Sequence, residues 1–333
     1  LTKANILEAF EVLGQRLGQL KAGDELLERA YIDNNWFTVT NQLKALAYWH
    51  NHLNKVEIDN WLSPYSFTTN PKNVGIITAG NIPLVGLHDV LCGLASGHKV
   101  SIKLSSSDSR LMQFVINQLI DINPGFSDKI EIVEMLNDVH AVIATGNNSS
   151  NAIFEFYFKN IPHLLRKNRN SIAVLTGKET SEELLGLAAD IFSYFGLGCR
   201  NVSKILVPDQ YDFTSFFDAI ESFNEVIHHN KYNNNYTYHK AIFLMNLNLH
   251  LDSGFLILKE DERLASPLGC LYFSFYKNRN EVLEFIDQHS GEIQAVIGNP
   301  SFLPECIAFG ESQKPALNEY ADGIDTMLFL NQI

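Results

Sequence analysis

The sequence lacks a long apolar run and a surplus of positive charge. None of its 333 residues belongs to an apolar stretch of about 18 or more residues, the length with which a helix spans a bilayer. Lysine and arginine number 25 against 38 aspartates and glutamates, giving a net charge of -13, and they form no dense cluster. Because this charge repels nucleic acid and anionic lipid, we expect a small-molecule ligand, no nucleic-acid partner and no membrane span.

Cysteine is also scarce, and no CxxC motif occurs. The cysteines are Cys92, Cys199, Cys270 and Cys306, which lie far apart in the chain. Such spacing is typical of reduced thiols and not of a disulfide framework. The N-terminal residues show neither the cationic start nor the apolar stretch of a secretory signal, so the sequence predicts a cytoplasmic protein.

Apolar periodicity divides the chain into helix-like and strand-like segments. Helical spacing covers residues 6 to about 30 and residues 39–53. From residue 74 onward the two patterns alternate, with strands expected at 74–78, 100–104, 130–134, 141–145, 171–175 and 202–207 and helices at 83–94, 109–120 and 181–195. This alternation predicts an α/β fold with parallel sheets, and the length predicts two domains at roughly 150 residues each.

Residues 228–239 are rich in histidine and asparagine. His228, His229 and His239 match no tetrahedral ligand spacing, and no cysteine or carboxylate completes a set, so we predict no metal site. Residues 230–235 contain four asparagines, and we interpret them as an ordered polar loop.

Cys199 is the strongest candidate for a reactive group. It follows Gly196-Leu197-Gly198 and precedes Arg200, at the junction between a predicted helix and a predicted strand. The glycines allow the backbone to approach a ligand closely, and a neighbouring cation lowers the pKa of a thiol toward the reactive thiolate. A buried, inert thiol is the alternative interpretation.

Polar residues also lie where strands of the first series end. The amide of Asn81, after a strand and a glycine, could donate to a developing oxyanion, with a simple turn-forming role as the alternative. Lys103 lies between apolar residues of a predicted strand, so it needs a partner or must emerge at the strand's end. The turn Thr145-Gly146-Asn147 joins a strand to a helix start that could bind phosphate or merely be capped.

In order and spacing, these segments resemble the aldehyde dehydrogenase superfamily, most nearly its fatty acyl-CoA reductase branch, the reductase component of bacterial luminescence systems. Residues 77–84 resemble the family's strand and Trp-Asn-Phe-Pro segment, and residues 95–106 resemble its Ala-x-Gly-Asn-x-Val-x-x-Lys-Pro-Ser-Glu run. Residues 145–147 stand in place of Thr-Gly-Ser, and Gly198-Cys199 in place of the nucleophile turn. The resemblance extends from about residue 71 to residue 329.

The resemblance implies an aldehyde dehydrogenase-like α/β fold with two Rossmann-like parallel-sheet domains. Residues 1–169 plus 309–333 would form a cofactor-binding domain with a helical N-terminus, and residues 170–308 a catalytic domain carrying the nucleophilic cysteine. The closing residues 325–330 are expected to form a strand, which in relatives pairs with another subunit, so a homodimer is possible.

The resemblance also implies a role for each matched residue. Cys199 would be the nucleophile, and Asn81 would line the oxyanion hole. The cofactor would be bound by Thr78, Lys103, Ser105, Ser106, Thr145, Gly146, Asn147 and Glu262. Ser106 stands where the family has a glutamate that grips the ribose hydroxyls and repels a 2′-phosphate, so NADP(H) is favoured over NAD(H).

One departure from the family pattern bears on the reaction. The glutamate that activates water in aldehyde-oxidising members would fall within residues 165–170, where this sequence has no carboxylate. Without that base, exchange of the acyl group with a thiol such as coenzyme A replaces hydrolysis. The resemblance therefore implies NADPH-dependent reduction of an acyl-CoA, or another acyl thioester, to an aldehyde through an acyl group on Cys199.

Two other functions stay open at this point. The chain could be an acyl-carrying or scaffolding subunit of a fatty-acid reductase complex without redox activity of its own. It could also be an NADP-dependent dehydrogenase that oxidises aldehydes, although the missing base disfavours this.

Overall fold

The computed structural model describes residues 1–146 and 148–333. It contains two compact units, one formed by Leu1–Asn168 with Ala316–Ile333 and the other by Arg169–Pro315. Each unit is built on its own β-sheet. Within the described residues, no helix combines the length and the apolar character needed to cross a bilayer.

The first unit begins with a group of helices. They are α1 (Lys3–Leu17), α2 (Glu25–Asp33), α3 (Val39–His52) and α4 (Lys55–Leu62). The helical pattern predicted from residue 6 to about residue 30 is interrupted between α1 and α2, where Gly23 adopts a φ of 94° that few other residues tolerate. Phe10 and Leu13 of α1 are completely buried, so the apolar face of this helix packs on the core.

The sheet of the first unit is parallel throughout. Its elements in chain order are β1 (Asn73–Ile77), α5 (Leu87–Ala95), β2 (Lys99–Lys103), α6 (Ser109–Ile122), β3 (Ile130–Ile132), β4 (Ala141–Thr145), α7 (Asn148–Phe158) and β5 (His163–Arg166). The strand order is β3-β2-β1-β4-β5. Ile77 at the end of β1 pairs with Lys103 at the end of β2, so the loops that follow both strands leave from the same edge.

The closing segment of the chain is a helix and not the strand predicted for residues 325–330. Helix α12 (Thr326–Asn331) begins after Asp325, whose side chain accepts a hydrogen bond from the Leu328 N–H at 2.8 Å. Thr326 and Leu330 are buried in the first unit. The capping carboxylate and the helical spacing of buried residues explain why this segment does not form a pairing strand.

The second unit carries a mixed sheet. Its elements are β6 (Asn170–Val174), α8 (Ser181–Phe192), β7 (Val202–Pro208), α9 (Thr214–Ile220), α10 (Asn230–Met245), β8 (Leu251–Asp252), β9 (Ile257–Glu260), β10 (Cys270–Tyr276), α11 (Arg279–Gln288) and β11 (Ile293–Ile297). The strand order is β11-β6-β7-β10-β9-β8. Only the short edge strand β8 runs antiparallel to its neighbour among the strands that the structure describes.

The asparagine-rich residues 230–235, predicted as a loop, form the first turns of α10. The His229 side chain caps this helix by accepting from the Tyr232 N–H. Tyr232 and Tyr236, one turn apart, are 2% and 6% exposed, so they anchor the helix to the unit. Burial of these two aromatic rings outweighs the modest helix propensity of asparagine.

Candidate active site

In the first unit, Thr78 joins the loops that follow β1 and β2. Its backbone N–H donates to the Lys103 carbonyl at 3.1 Å, and its Oγ1 accepts from the Ser105 N–H at 3.0 Å. Thr78 is 5% exposed, whereas the Lys103 and Ser106 side chains are exposed. The structure thus brings four of the predicted cofactor-binding residues to one edge of the sheet, with Thr78 as the buried link.

Asn81 lies on a tightly packed loop. At the preceding Gly80, a Cβ atom would lie 2.7 Å from the Ser105 Cβ, too close for any larger residue. Asn81 itself is exposed. Farther along the loop, Leu84 adopts a φ of 57°, which is rare for a residue other than glycine. The loop therefore holds a strained conformation that needs support from its surroundings.

Asp108 supplies part of that support. Its Oδ2 accepts from the Leu84 N–H at 2.7 Å, and the residue is 2% exposed. Its Oδ1 has no hydrogen-bond partner among the described residues. Burial raises the pKa of Asp108 to about 8, so the carboxyl group is mostly neutral at pH 7. At pH 7, Asp108 therefore places little negative charge against the loop that contains Leu84.

The third predicted cofactor-binding turn follows β4, the other neighbour of β1. The Asn151 side chain of α7 is 3% exposed and donates to the carbonyls of Gly146 at 3.0 Å and Arg166 at 2.8 Å. This side chain fixes the turn after Thr145 from the following helix. Asn147 lies outside the described residues, so its role in binding stays a prediction.

Arg166 lies within the stretch where water-activating relatives have their glutamate. Its guanidinium donates to Asp89 Oδ2 at 2.6 Å and to Thr326 Oγ1 at 2.7 Å. The side chains of Arg166 and Asp89 are each 6% exposed. Arg166 therefore ties β5 to α5 and α12 in the interior of the first unit, which gives it a structural role.

In the second unit, Cys199 lies on an irregular turn between α8 and β7. Gly198 has a φ of 104°, a value that favours glycine, and Phe195 adopts a left-handed φ of 61°. Cys199 is half-buried, and its carbonyl accepts from the Ser171 Oγ at 2.8 Å. The turn is therefore anchored to the start of β6.

Asn201 and Asp190 hold this turn from the interior. Asn201 is 3% exposed, and its Nδ2 donates to the carbonyls of Ser193 at 2.6 Å and Asp190 at 3.2 Å. It thereby satisfies carbonyls at the C-terminal end of α8, which have no partner within the helix.

The carboxylate of Asp190 extends the support to a distant segment. It accepts from the Gly310 N–H at 2.7 Å, the Ser312 N–H at 3.1 Å and the Ser312 Oγ at 2.6 Å. Arg200, next to Cys199, donates in turn to the Ser312 carbonyl at 3.4 Å. The loop at residues 310–312 thus connects the end of α8 to the residue that follows Cys199.

Glu262 is exposed on the turn that follows β9. The preceding Asp261 binds the Lys259 ammonium at 2.6 Å and the Arg263 guanidinium at 2.7 Å. The hydrogen bond from Arg263 is the main reason that the pKa of Asp261 is well below its usual range. Arg263 is also exposed, but its guanidinium is hydrogen-bonded to Asp261 and to the Tyr272 hydroxyl.

Comparisons with known proteins gave matches in structure but not in sequence. No family model matches the chain, and no curated protein matches it. Aldehyde dehydrogenase 21 from Physcomitrella patens, in complex with succinate, is 9% identical with a TM-score of 0.73, covering 100% of this chain and 84% of that one. The NAD⁺ complex of an aldehyde dehydrogenase from Bacillus cereus is 12% identical, covers 90% and 72%, and has a TM-score of 0.65.

A third solved structure is a mutant of aldehyde dehydrogenase C from Pseudomonas syringae, in complex with NAD⁺ and octanal. It is 13% identical, covers 92% of this chain and 75% of that one, and has a TM-score of 0.67. The chain has the aldehyde dehydrogenase fold. The predicted fold class is therefore confirmed, with β8 as an antiparallel addition to the second sheet.

Within this aldehyde dehydrogenase fold, the sequence pattern missed the buried side chains that hold the candidate turns. They are Asp108, Asn151, Asp190, Asn201 and Lys204. Lys204 carried a visible signal, since it lies in an apolar strand pattern where a lysine needs a partner. Asp108 resembles an ordinary polar residue before a helix, yet its side chain makes no capping hydrogen bond to α6.

Proposed function

We propose that this chain is an NADPH-dependent acyl-CoA reductase that takes an acyl group onto Cys199 and releases it as an aldehyde. The observation that carries the proposal is the half-buried Cys199 on a glycine-containing turn of an aldehyde dehydrogenase fold. Acyl transfer to a thiol needs a nucleophile held on a rigid turn, and Asn201 and Ser171 hold this one.

The residues at the edge of the first sheet fit a nicotinamide dinucleotide with a 2′-phosphate. Lys103 provides an exposed cation, and Ser106 provides an exposed hydroxyl in place of a carboxylate. Asp108, the acid closest along the chain, is mostly neutral because burial raises its pKa to about 8. This donor set favours a phosphate dianion, which supports NADPH as the cofactor. Thr78, Ser105, Thr145, Gly146 and Asn147 would complete its site.

The first half of the proposed reaction makes an acyl-enzyme. The Cys199 thiolate adds to the thioester carbonyl carbon, a new carbon–sulfur bond forms, and the bond to coenzyme A breaks as its thiolate leaves. The side-chain amide of Asn81 is assigned to donate to the oxyanion that develops on the carbonyl oxygen.

The second half releases the aldehyde. When bound, NADPH supplies the hydride that reduces the acyl carbonyl, and the exposed Glu262 carboxylate is assigned to its nicotinamide ribose. Hydride addition leaves a thiohemiacetal alkoxide on Cys199. This oxyanion re-forms the carbonyl as the carbon–sulfur bond breaks, and the bonding electrons stay on the sulfur. Free aldehyde leaves, and the thiolate is regenerated.

Reduction is favoured over hydrolytic oxidation by the residues near the end of β5. The sequence offers no carboxylate at residues 165–170 to activate water. The side chain of Arg166 is committed to Asp89 and Thr326 in the interior. An acyl-enzyme without a hydrolytic base persists until a thiol or a hydride reaches it.

The test is a reductase assay with a series of acyl-CoA thioesters. We expect the purified chain to consume NADPH and form the matching aldehyde, with Cys199→Ala slower by at least ~10³-fold. Cys306→Ala, which removes another half-buried thiol of the second unit, is the matched control and should retain activity.

Other outcomes identify the alternatives. An acyl adduct on Cys199 by intact mass, without NADPH binding, would indicate an acyl-carrying subunit. Acid formation from aldehyde and NADP⁺ without coenzyme A would indicate an oxidising dehydrogenase. An active Cys199→Ala variant would rule out the acyl-enzyme route altogether.

A further inference from the structure

Lys204 is the charged residue that the proposed reaction leaves unused and that the fold buries most completely. It lies on β7, between β6 and β10, where it pairs with Ile172 and Tyr272. Its exposed fraction is 0%. Because an ammonium in the interior is unfavourable unless it is hydrogen-bonded, its partners show what it stabilises.

The contacts of Lys204 converge on one peptide group. Its Nζ donates to the Asp261 carbonyl oxygen at 2.5 Å and to Ser274 Oγ at 2.6 Å. Ser274 Oγ donates to the same Asp261 carbonyl at 3.2 Å. The ring of Phe285 on α11 lies 5.5 Å from Nζ and covers the group on that side. Lys204 and Ser274 therefore fix the backbone of residue 261.

That backbone leads directly into Glu262. The side chain of Asp261 is held separately, by Lys259 at 2.6 Å and by the Arg263 N–H at 3.1 Å. The turn at residues 261–263 is thus fixed through its carbonyl from the interior and through its carboxylate at the surface. Both sets of contacts therefore determine the position of Glu262, which is exposed.

We propose that Lys204 is a positioning residue for the cofactor, holding the Glu262 turn through the Asp261 carbonyl and attracting the Glu262 carboxylate with its charge. This inference rests on the proposed function, in which Glu262 binds the nicotinamide ribose. In this role, Lys204 acts through the turn and takes no part in the chemical step.

The charges around Lys204 make this role depend on pH. Burial lowers the pKa of Lys204 to about 8, while Glu262, Asp261 and Glu260 act in the opposite direction. The surrounding elements also carry other ionisable groups, which are Lys259 on β9, Arg263 on the turn, Cys270, Tyr272 and Tyr276 on β10, and Arg279, Glu281, Glu284 and Asp287 on α11. Loss of the ammonium proton above about pH 8 removes the attraction for Glu262, so cofactor affinity should decrease there.

The experiment compares Lys204→Met with Lys277→Met, an exposed lysine that follows β10. In the full chain, we expect Lys204→Met to raise KM for NADPH about tenfold while kcat at saturation stays within about twofold. Acylation of Cys199 by acyl-CoA, followed by intact mass, should be unchanged, which shows that the second unit is folded. Lys277→Met should match the parent in every measurement.

A second variant covers the case in which Lys204→Met does not fold. Ser274→Ala removes one acceptor of Nζ and one donor to Asp261, so it should raise KM for NADPH in the same direction by a few-fold. If Lys204→Met folds and its KM for NADPH is unchanged, Lys204 does not have this role. If only Ser274→Ala folds, an unchanged KM for NADPH in that variant leads to the same conclusion. Loss of Cys199 acylation in step with the rise in KM also overturns the positioning role, in favour of a purely structural role.

The pH profile separates this inference from the function on which it rests. We expect KM for NADPH of the parent to rise above about pH 8 and that of Lys204→Met to stay level. If KM for NADPH also rises above about pH 8 in Lys204→Met, the change comes from another group, such as Asp108. The proposed attraction between Lys204 and Glu262 is then wrong. If the parent never consumes NADPH, the proposed function itself is wrong. If the parent is active and Lys204→Met leaves KM for NADPH unchanged, only the role of Lys204 is wrong.

Discussion

The two units hold their candidate residues in different ways. In the first unit, residues at the ends of β1 and β2 are fixed largely through each other, as in the Thr78–Lys103 and Thr78–Ser105 hydrogen bonds. In the second unit, the turns are fixed by buried polar side chains, such as Asn201 and Asp190, that bind backbone groups from several segments. Asp108 and Asn151 act in the same way in the first unit, but the second unit depends more on single buried side chains.

Two lysines on strands differ in a related way, since one is exposed at the end of its strand and the other is buried inside it. Lys103 ends β2 and emerges into solvent, while Lys204 lies inside β7 and is completely buried. An ammonium at a strand's carboxyl end is available to a ligand, whereas one inside the sheet can only act on its protein neighbours. Position along the strand, more than the surrounding residues, separates the lysine proposed to bind the cofactor from the lysine proposed to position it.

The comparison predicts its largest effect at Asp190. Asp190→Ala leaves the N–H groups of Gly310 and Ser312 without their acceptor and frees the loop that Arg200 contacts. We expect the free energy of unfolding to fall by about 3 kcal/mol, with most reductase activity lost. Urea unfolding and the NADPH assay measure the two effects.

The matched control is Glu182→Ala, an exposed acid at the start of the same helix. It should change the free energy of unfolding by less than about 0.5 kcal/mol. If Asp190→Ala is as stable and active as this control, the second unit does not depend on its buried side chains in the way described.

A smaller effect is predicted at Asp108, a buried acid that supports the loop carrying Asn81 in the first unit. Burial raises its pKa from 3.8 to about 8, so the folded state holds the proton more tightly than the unfolded state. The stabilisation is fully present below about pH 4 and is lost as the pH rises toward about 8. Asp108→Asn keeps an acceptor for Leu84 and does not titrate.

The melting temperature of the parent should therefore fall, relative to that of Asp108→Asn, by several degrees between about pH 5 and about pH 8.5. Thermal unfolding across this range measures the difference, and Asp121→Asn, at an exposed position of α6, should follow the parent. If the melting temperatures of the parent and of Asp108→Asn change in parallel with pH, the Asp108 carboxyl group does not titrate in this pH range.

Sequence alone was sufficient for much of the fold because buried parallel strands form short apolar runs. Strand β4 has the predicted bounds, and β1, β2 and β6 differ from theirs by one residue at each end. Prediction failed where tertiary contacts decide the structure. The asparagines of residues 230–235 became helical because Tyr232 and Tyr236 are buried, a property that no local pattern contains.

The candidate site shows the same division. Cys199, Asn81 and Lys103 can be selected from motifs because their chemistry and their places at strand ends are visible in the sequence. Asp108 and Asp190 cannot, because their importance comes from burial against segments that are distant in the chain, such as residues 310–312. A buried carboxylate looks like any other acid until its partners are known.

The next prediction tests whether Lys103 is the binding lysine of the pair. Lys103→Met should raise KM for NADPH about tenfold without lowering the melting temperature, because the side chain is exposed. Lys99→Met, at the opposite end of β2, is the matched control. Equal KM values for the two variants would show that the carboxyl end of β2 does not bind the cofactor.

The smallest effect is expected at Ser106, which should set the preference for NADPH over NADH. Ser106→Glu places a carboxylate beside the position assigned to the 2′-phosphate, and at this exposed site solvent screens most of the repulsion. We expect the ratio of kcat/KM for NADPH to that for NADH to fall about fivefold, with unchanged stability. Ser107→Glu adds the same charge at the next exposed position, so an equal fall in both variants would indicate a general charge effect and not a specific phosphate contact at Ser106.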